Sequence, residues 1–212
     1  YVIDGIPMFD VNTGDEAGGT MAKQPGSSSV ADINPDDIES MSVLSGPSAA
    51  ALYGSRAASG VILITTKKGQ EGRAKLTYSN STSFSNVWMT PKFQNIYGNK
   101  PGEFASWGER LAASTGYDPI DFFDTGITEI NSLTFTVGNE RNQTFASAAV
   151  TNAPGVMPES DYNRYNFSIR NTTKFLDDKL TLDLGAQYII QNNKNMVGSG
   201  EYFNPLAALY LF

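Results

Sequence analysis

The chain has 212 residues, with 15 Lys and Arg against 22 Asp and Glu, a net charge of −7, and neither Cys nor His. Without a thiolate or an imidazole, the common nucleophilic designs and the ordinary zinc and haem sites are missing. The acidic balance speaks against the dense basic surface of a nucleic-acid binder.

Uncharged polar residues are abundant instead: 20 Ser, 17 Thr and 17 Asn stand beside 10 Tyr and 12 Phe, a mixture suited to strands with one wet face. No apolar run approaches the roughly 18 to 20 residues of a membrane-spanning helix. The chain opens on Tyr1-Val2-Ile3, in the manner of a strand interior, without an initiator Met or a basic leader. It is therefore expected to be a piece of a longer protein.

Tyr1 to Ile6 reads as a short strand closed by Asp4-Gly5 and Pro7. A Gly- and Ser-rich loop follows over residues 9–32. Asn34 then suits a cap, Pro35 the first helical position, and Asp36 and Asp37 the positive end of a helical turn. Met41 and Val43 mark a second strand. Ala49, Ala50, Ala51 and Leu52 favour a helix over Pro47 to Tyr53, with Gly54 as its stop. Gly60 then launches Val61-Ile62-Leu63-Ile64-Thr65-Thr66, apolar enough to be buried on both faces.

The texture changes near Lys67-Lys68-Gly69-Gln70-Glu71-Gly72, and beyond it the period is two. From Ala74 to Trp88, Leu76, Tyr78, Phe84 and Trp88 share one parity, while Thr77, Ser79, Ser81, Ser83 and Ser85 share the other. Residues 164–175 repeat this with Tyr165, Phe167, Ile169 and Phe175 against Arg164, Asn166, Ser168, Arg170 and Lys174. Residues 180–191 do so again, with Leu180, Leu182, Leu184, Tyr188 and Ile190 opposed by Thr181, Asp183, Gln187 and Gln191. Leu133 to Val137 and Thr144 to Val150 are weaker members.

Such strands exceed the usual soluble length of ~5 to 6 residues. A tilted membrane strand needs about 9 to 11. Connections alternate between long (89–131, 152–161, 192 onward) and short (138–143, 176–179), as in a transmembrane barrel with apolar residues on lipid and polar ones on the lumen. The same alternation fits a soluble sandwich whose apolar face is the core. Five strands cannot close a membrane barrel, whose minimum is about 8, so further strands are expected beyond Phe212.

Tyr1-Val2-Ile3-Asp4-Gly5-Ile6-Pro7, then Ile33-Asn34-Pro35-Asp36-Asp37-Ile38-Glu39-Ser40, and above all Ala50-Ala51-Leu52-Tyr53-Gly54-Ser55-Arg56-Ala57-Ala58-Ser59-Gly60-Val61-Ile62-Leu63-Ile64-Thr65-Thr66-Lys67-Lys68-Gly69 closely resemble the plug domain of the SusC/RagA family. These are TonB-dependent outer-membrane transporters of Bacteroidota. Asp161-Tyr162-Asn163-Arg164-Tyr165-Asn166 is similar to an early barrel strand of the same family. Ser45 and Ser59 depart from residues common there, Lys and Asn. The resemblance implies a mixed α/β plug over 1–72, followed over 73–212 by the first antiparallel strands of a 22-stranded transmembrane β-barrel in the outer membrane. It further implies import of a glycan or peptide with a SusD-like surface lipoprotein, driven through TonB by a segment not recognisable here. A barrel serving as a structural subunit of a larger outer-membrane complex would carry the same motifs.

The plug signature comprises Asp4, Gly5, Pro7, Asn34, Pro35, Asp37, Tyr53, Gly54, Arg56 and Gly60, residues read first as folding the plug, with Arg56 as a candidate partner for wall carboxylates. Asp10, Asn12, Asp15 and Glu16 fail the spacing of a calcium loop and read as turn residues. The Asp36-Asp37 pair reads as dipole partners rather than as an acid and base. No catalytic residue, cofactor, metal or nucleic acid is expected. Tyr97, Trp107, Phe93 and Phe104 read as packing a long loop, and Trp88 and Tyr78 as an interfacial aromatic girdle beside membrane lipid.

Overall fold

The computed structural model describes residues 1–8, 29–92, 94–102, 107–116 and 118–194 and, within these, every side chain but those of Ser29, Ala31 and Arg56. The described residues form a small four-stranded sheet and a larger five-stranded one.

The small sheet begins with a hairpin rather than one strand. β1 (Val2–Ile3) pairs antiparallel with β2 (Ile6–Pro7) around Asp4-Gly5. Asp4 has φ +48° and Gly5 +84°, the left-handed pair that a two-residue turn matched to strand twist requires. β3 (Ile38–Leu44) runs antiparallel to β4 (Val61–Thr66), which is parallel to β1, giving the order β2-β1-β4-β3. Helix α1 (Pro47–Tyr53) crosses between β3 and β4, with Pro47 at its first turn and the Gly54 amide closing it onto the Ala50 carbonyl at 2.9 Å. Val2, Ala49, Ala57 and Val61 make the buried core, flanked by Leu44, Tyr53 and Leu63. In β4 only Val61 and Ile64 are fully buried, so the run is less enclosed than its composition suggests. Gly60 turns the chain back at φ +112°, where an added Cβ would press the Leu44 carbonyl at 3.0 Å.

The larger sheet is a meander of long strands. β5 (Gly72–Ser85), β6 (Gly126–Gly138), β7 (Asn142–Asn152), β8 (Asp161–Phe175) and β9 (Leu180–Lys194) pair antiparallel in chain order. Short connections over 139–141 and 176–179 share one end, and the longer ones over 86–125 and 153–160 the other. The Asn139 side chain closes the first short turn by accepting from the Arg141 and Asn142 amides at 2.9 and 2.8 Å. β6 starts at Gly126, earlier than alternation suggested, and β5 stops at Ser85, leaving Trp88 beyond the strand and 90% exposed.

Register assigns the faces. Leu76, Phe135, Ala146, Ile169 and Ala186 lie in one cross-strand row, and Tyr78, Leu133, Ala148, Phe167 and Tyr188 in the next of the same face. On the opposite face the corresponding rows are Thr77, Thr134, Ser147, Ser168 and Gln187, then Ser79, Ser132, Ala149, Asn166 and Ile189. The small sheet lies on the side of this polar face: Ser132 and Ser147 reach Asp36 and Asp37, in the turn that leads into β3. The apolar face points away and, among the described residues, is bare, with Tyr188 64% and Leu184 60% exposed. That orientation is the reverse of a sandwich, in which the apolar face would be the covered one.

One polar patch interrupts the apolar face. Asn131 accepts from the Tyr78 hydroxyl at 2.6 Å and the Asn80 amide at 2.8 Å, and donates to Glu129 at 3.1 Å. These bonds hold β6 to β5 where its outward residues are not apolar. In the 86–125 connection, Tyr97 and Trp107 stack with ring centroids 5.8 Å apart, a loop-internal contact. Phe93 and Phe104 lie outside the described residues, as do Asp10, Asn12, Asp15 and Glu16.

Candidate functional site at the contact of sheet and wall

Among the described residues, two polar contacts that start from local turns join the small sheet to the five-stranded wall. The first is the acidic turn. Asn34, extended at φ −68° and ψ 123°, caps a 3-10 turn over Pro35–Asp37, its side chain accepting from the Asp36 amide at 3.3 Å. Pro35 at the first position removes an amide that would have no partner there. The turn is only three residues long, too short for a macrodipole to dominate. Its carboxylates go instead to the wall: Ser132 donates to Asp36 at 2.5 Å and Ser147 to Asp37 at 2.7 Å. The Asn34 amide supplies Asp37 with a second bond at 3.2 Å. Asn166 donates to the backbone carbonyl of Asp32 at 2.6 Å.

Asn34 is 1% and Asp37 3% exposed. Burial pushes the Asp37 carboxyl above its ordinary range, and the bonds from Ser147 and Asn34 oppose that shift only in part. The acidic turn is thus held by neutral donors, with Lys67 nearby bonding the Asp36 carbonyl at 2.6 Å rather than a carboxylate.

The second contact is ionic. Asp4, placed by the hairpin turn, accepts from the Thr66 amide at 2.9 Å and the Thr66 hydroxyl at 2.5 Å. Arg170 on β8 donates through Nη1 to Asp4 at 2.9 Å and to Thr66 Oγ1 at 3.0 Å. Its Nε and Nη2 both bond Asp183 on β9, at 2.9 and 2.8 Å. Lys68 stands 3.5 Å from the same carboxylate. Beside this contact lies a cavity of about 430 Å³, bounded by Ile6 and Lys67 on one side and Phe145, Arg170 and Gln187 on the other.

Between the two sheets the chain passes over 67–71, where Gly69 is buried against β7. A Cβ built on Gly69 would overlap the backbone of Gln143 and Thr144. Gly69→Ala is therefore expected to force the connection off the wall and cost about 1–3 kcal/mol. Thermal unfolding of the full-length protein in detergent measures it, and an unchanged midpoint would contradict the packing.

Of the signature residues, Asp4, Asn34 and Asp37 reach the contact, supported by Gly5 and Pro35 in their turns. Pro7 ends β2 opposite Val2, while Tyr53, Gly54 and Gly60 shape α1 and the return to β4 within the small sheet. The Arg56 side chain lies outside the described ones, so the wall contact expected of it is not tested; among the described residues wall Arg170 pairs with Asp4. Asn166, Arg170 and Asp183 were readable as polar-face residues only, and Ser132 and Ser147 were not singled out. Among the described residues, no cluster of three or more acidic side chains is arranged to hold a metal ion.

The TonB-dependent Receptor Plug Domain family matches residues 1–61. The chain is 32% identical over 170 residues to the TonB-dependent receptor SusC of Bacteroides thetaiotaomicron, covering 77% of this chain and 17% of that protein. It is 31% identical over 186 residues to TonB-dependent receptor P39 of Formosa agariphila, covering 80% and 16%. Its fold is similar to the structure of the RagAB peptide transporter, with a TM-score of 0.68 at 22% identity over 99% of this chain and 26% of that one. The RagAB peptide importer in its 'closed-closed' state gives 0.66 at 21% identity over 92% and 24%. The chain thus spans about a sixth of the length of the curated relatives it matches. Plug motifs, a plug seated on the polar face of long antiparallel strands, and these relatives together place the chain in the SusC/RagA family of TonB-dependent receptors.

Proposed function

We propose that the protein imports a nutrient across the outer membrane, with residues 1–72 acting as the later part of the plug and 73–212 as the first barrel strands. The observation that carries this reading is the seating of the small sheet on the polar face of a wall whose apolar face is bare. A barrel strand in lipid has that polarity, and a soluble sheet has the reverse. Asp4, Asn34 and Asp37 would seat the plug, with Gly5, Pro7, Pro35, Tyr53, Gly54, Arg56 and Gly60 shaping it.

The plug blocks the lumen, and a pull from TonB displaces it. Its contacts suit that cycle, because hydroxyl-to-carboxylate bonds and partly exposed ion pairs can be exchanged for water. A SusD-like surface lipoprotein is the partner, in line with the names of the relatives, and the cargo is a glycan or peptide. A lumen face rich in Ser, Thr, Asn and Gln offers both kinds of cargo donors and acceptors.

Deleting the gene and measuring uptake of labelled glycans and peptides by whole cells tests this. Import that is lost on deletion, and equally lost when TonB is inactivated, is the expected result. Unchanged import with a disrupted outer-membrane complex would favour the structural subunit instead.

A further inference from the structure

Arg170 divides its guanidinium between two bodies. Nε and Nη2 are paired side-on with Asp183 of the neighbouring wall strand, and only Nη1 reaches Asp4 and Thr66 of the plug. Asp4 is divided in the complementary way, since Thr66 of the plug itself gives it two bonds. The Arg170, Asp4 and Asp183 side chains are 16%, 24% and 30% exposed. At such burial a charge stripped of its partner carries a real penalty, and a plug–wall ion pair would ordinarily resist separation for that reason.

We propose that Asp183 makes Arg170 a releasable latch: the arginine stays with the wall when the plug moves, and neither side is left with an unpaired buried charge. This rests on the import reading above, and it adds a positioning role for a wall carboxylate that also faces Lys68 of the 67–71 connection at 3.5 Å. Parting breaks one nitrogen's bonds, while the two bonds to Asp183 and the two from Thr66 to Asp4 persist. The cavity of about 430 Å³ beside Arg170 is the space that such a parting widens. A bidentate arginine suits this task and a lysine does not, because its fork offers separate edges to two carboxylates.

The latch makes opposite predictions for its two acids. Asp4→Asn removes the plug's share and is expected to speed plug release by about fivefold, the worth of one partly exposed pair. Asp183→Asn leaves Arg170 with Asp4 as its sole anionic partner, so release would strand the cation, and release is expected to slow by a similar factor. The measurement is the rate of plug release at fixed force, by single-molecule pulling on the full-length receptor in a lipid bilayer. Heat-modifiable electrophoretic mobility first establishes that each variant carries a folded barrel. Added salt should speed release of the native protein more than that of Asp4→Asn, which keeps the Lys68–Asp183 pair.

Acceleration by both variants, or by neither, would overturn the latch. Should Asp183→Asn fail to fold, Asp183→Glu, which keeps the charge at another length, is expected to preserve salt-dependent release near the native rate, and salt-independent release in it would equally overturn the proposal. Failure of the import reading is separate: it shows as absent TonB-dependent uptake by the native protein, whatever the order of release rates.

Discussion

Phe167→Arg is expected to cost about 2–4 kcal/mol of barrel stability in a bilayer, because it sets a cation on the outward face at hydrocarbon depth. Phe167 sits mid-strand in β8, 49% exposed, between Ala148 and Tyr188 of the neighbouring strands. Thr77→Arg places the same side chain on the opposite face of β5, in the row of Thr134 and Ser147. There the arginine meets the lumen, and the expected loss is under about 1 kcal/mol. Denaturant titration of the full-length protein in lipid vesicles gives both values. Equal tolerance of the two substitutions, in a protein soluble without detergent, would remove the membrane reading.

Ser147→Ala is expected to weaken plug seating by about 1.5–3 kcal/mol at neutral pH, the range for losing a hydrogen bond to a buried charged group. Its pH dependence is the diagnostic part. Burial raises the Asp37 carboxyl above its ordinary value in the seated plug. A group raised in this way favours the seated state fully below the pKa of the released plug, and that contribution is lost as pH rises through the seated pKa. Removing the Ser147 hydroxyl withdraws a bond that favours the charged carboxylate, so the seated pKa climbs further. The cost of the substitution should therefore shrink on acidification, as Asp37 takes up a proton. Chemical denaturation monitored from pH 7 downward would show the gap between native and variant closing. A gap independent of pH would mean that the Ser147 bond does not act through the charge on Asp37.

The sequence carried most of the fold because each signal was local. Asn34-Pro35 determines a capped turn, Pro47 to Tyr53 a helix closed at Gly54, and the alternation of Tyr165, Phe167 and Ile169 a strand. Which face of the wall looks inward was not legible, since a period of two is symmetric between its faces. The bonds from Ser132 and Ser147 to Asp36 and Asp37 decide it, across 96 and 110 residues of sequence. The early start of β6 was hidden for a related reason. Glu129 and Asn131 break its apolar alternation, and the bonds of Asn131 to Tyr78 and Asn80 that compensate come from another strand. At the plug–wall contact, Asp4 and Asp37 stood out through local motifs. Arg170 was one polar-face residue among many, because pairing with Asp4 and Asp183 is a property of register and docking, not of spacing.

On the import reading, the connection over 67–71 also governs how the plug returns to rest. Five residues between Thr66 and Gly72 let the end of β4 travel at most roughly 20 Å from the start of β5. A displaced plug is therefore never a free ligand. Thr66 remains near the wall, and Asp4 is bonded to Thr66. Re-pairing with Arg170 is an intramolecular event at an effective concentration in the millimolar range. Closure after each import step then needs no diffusional search. The short leash sets the reset time of the gate, and lengthening it with inserted Gly and Ser residues should lengthen the interval during which the pore conducts.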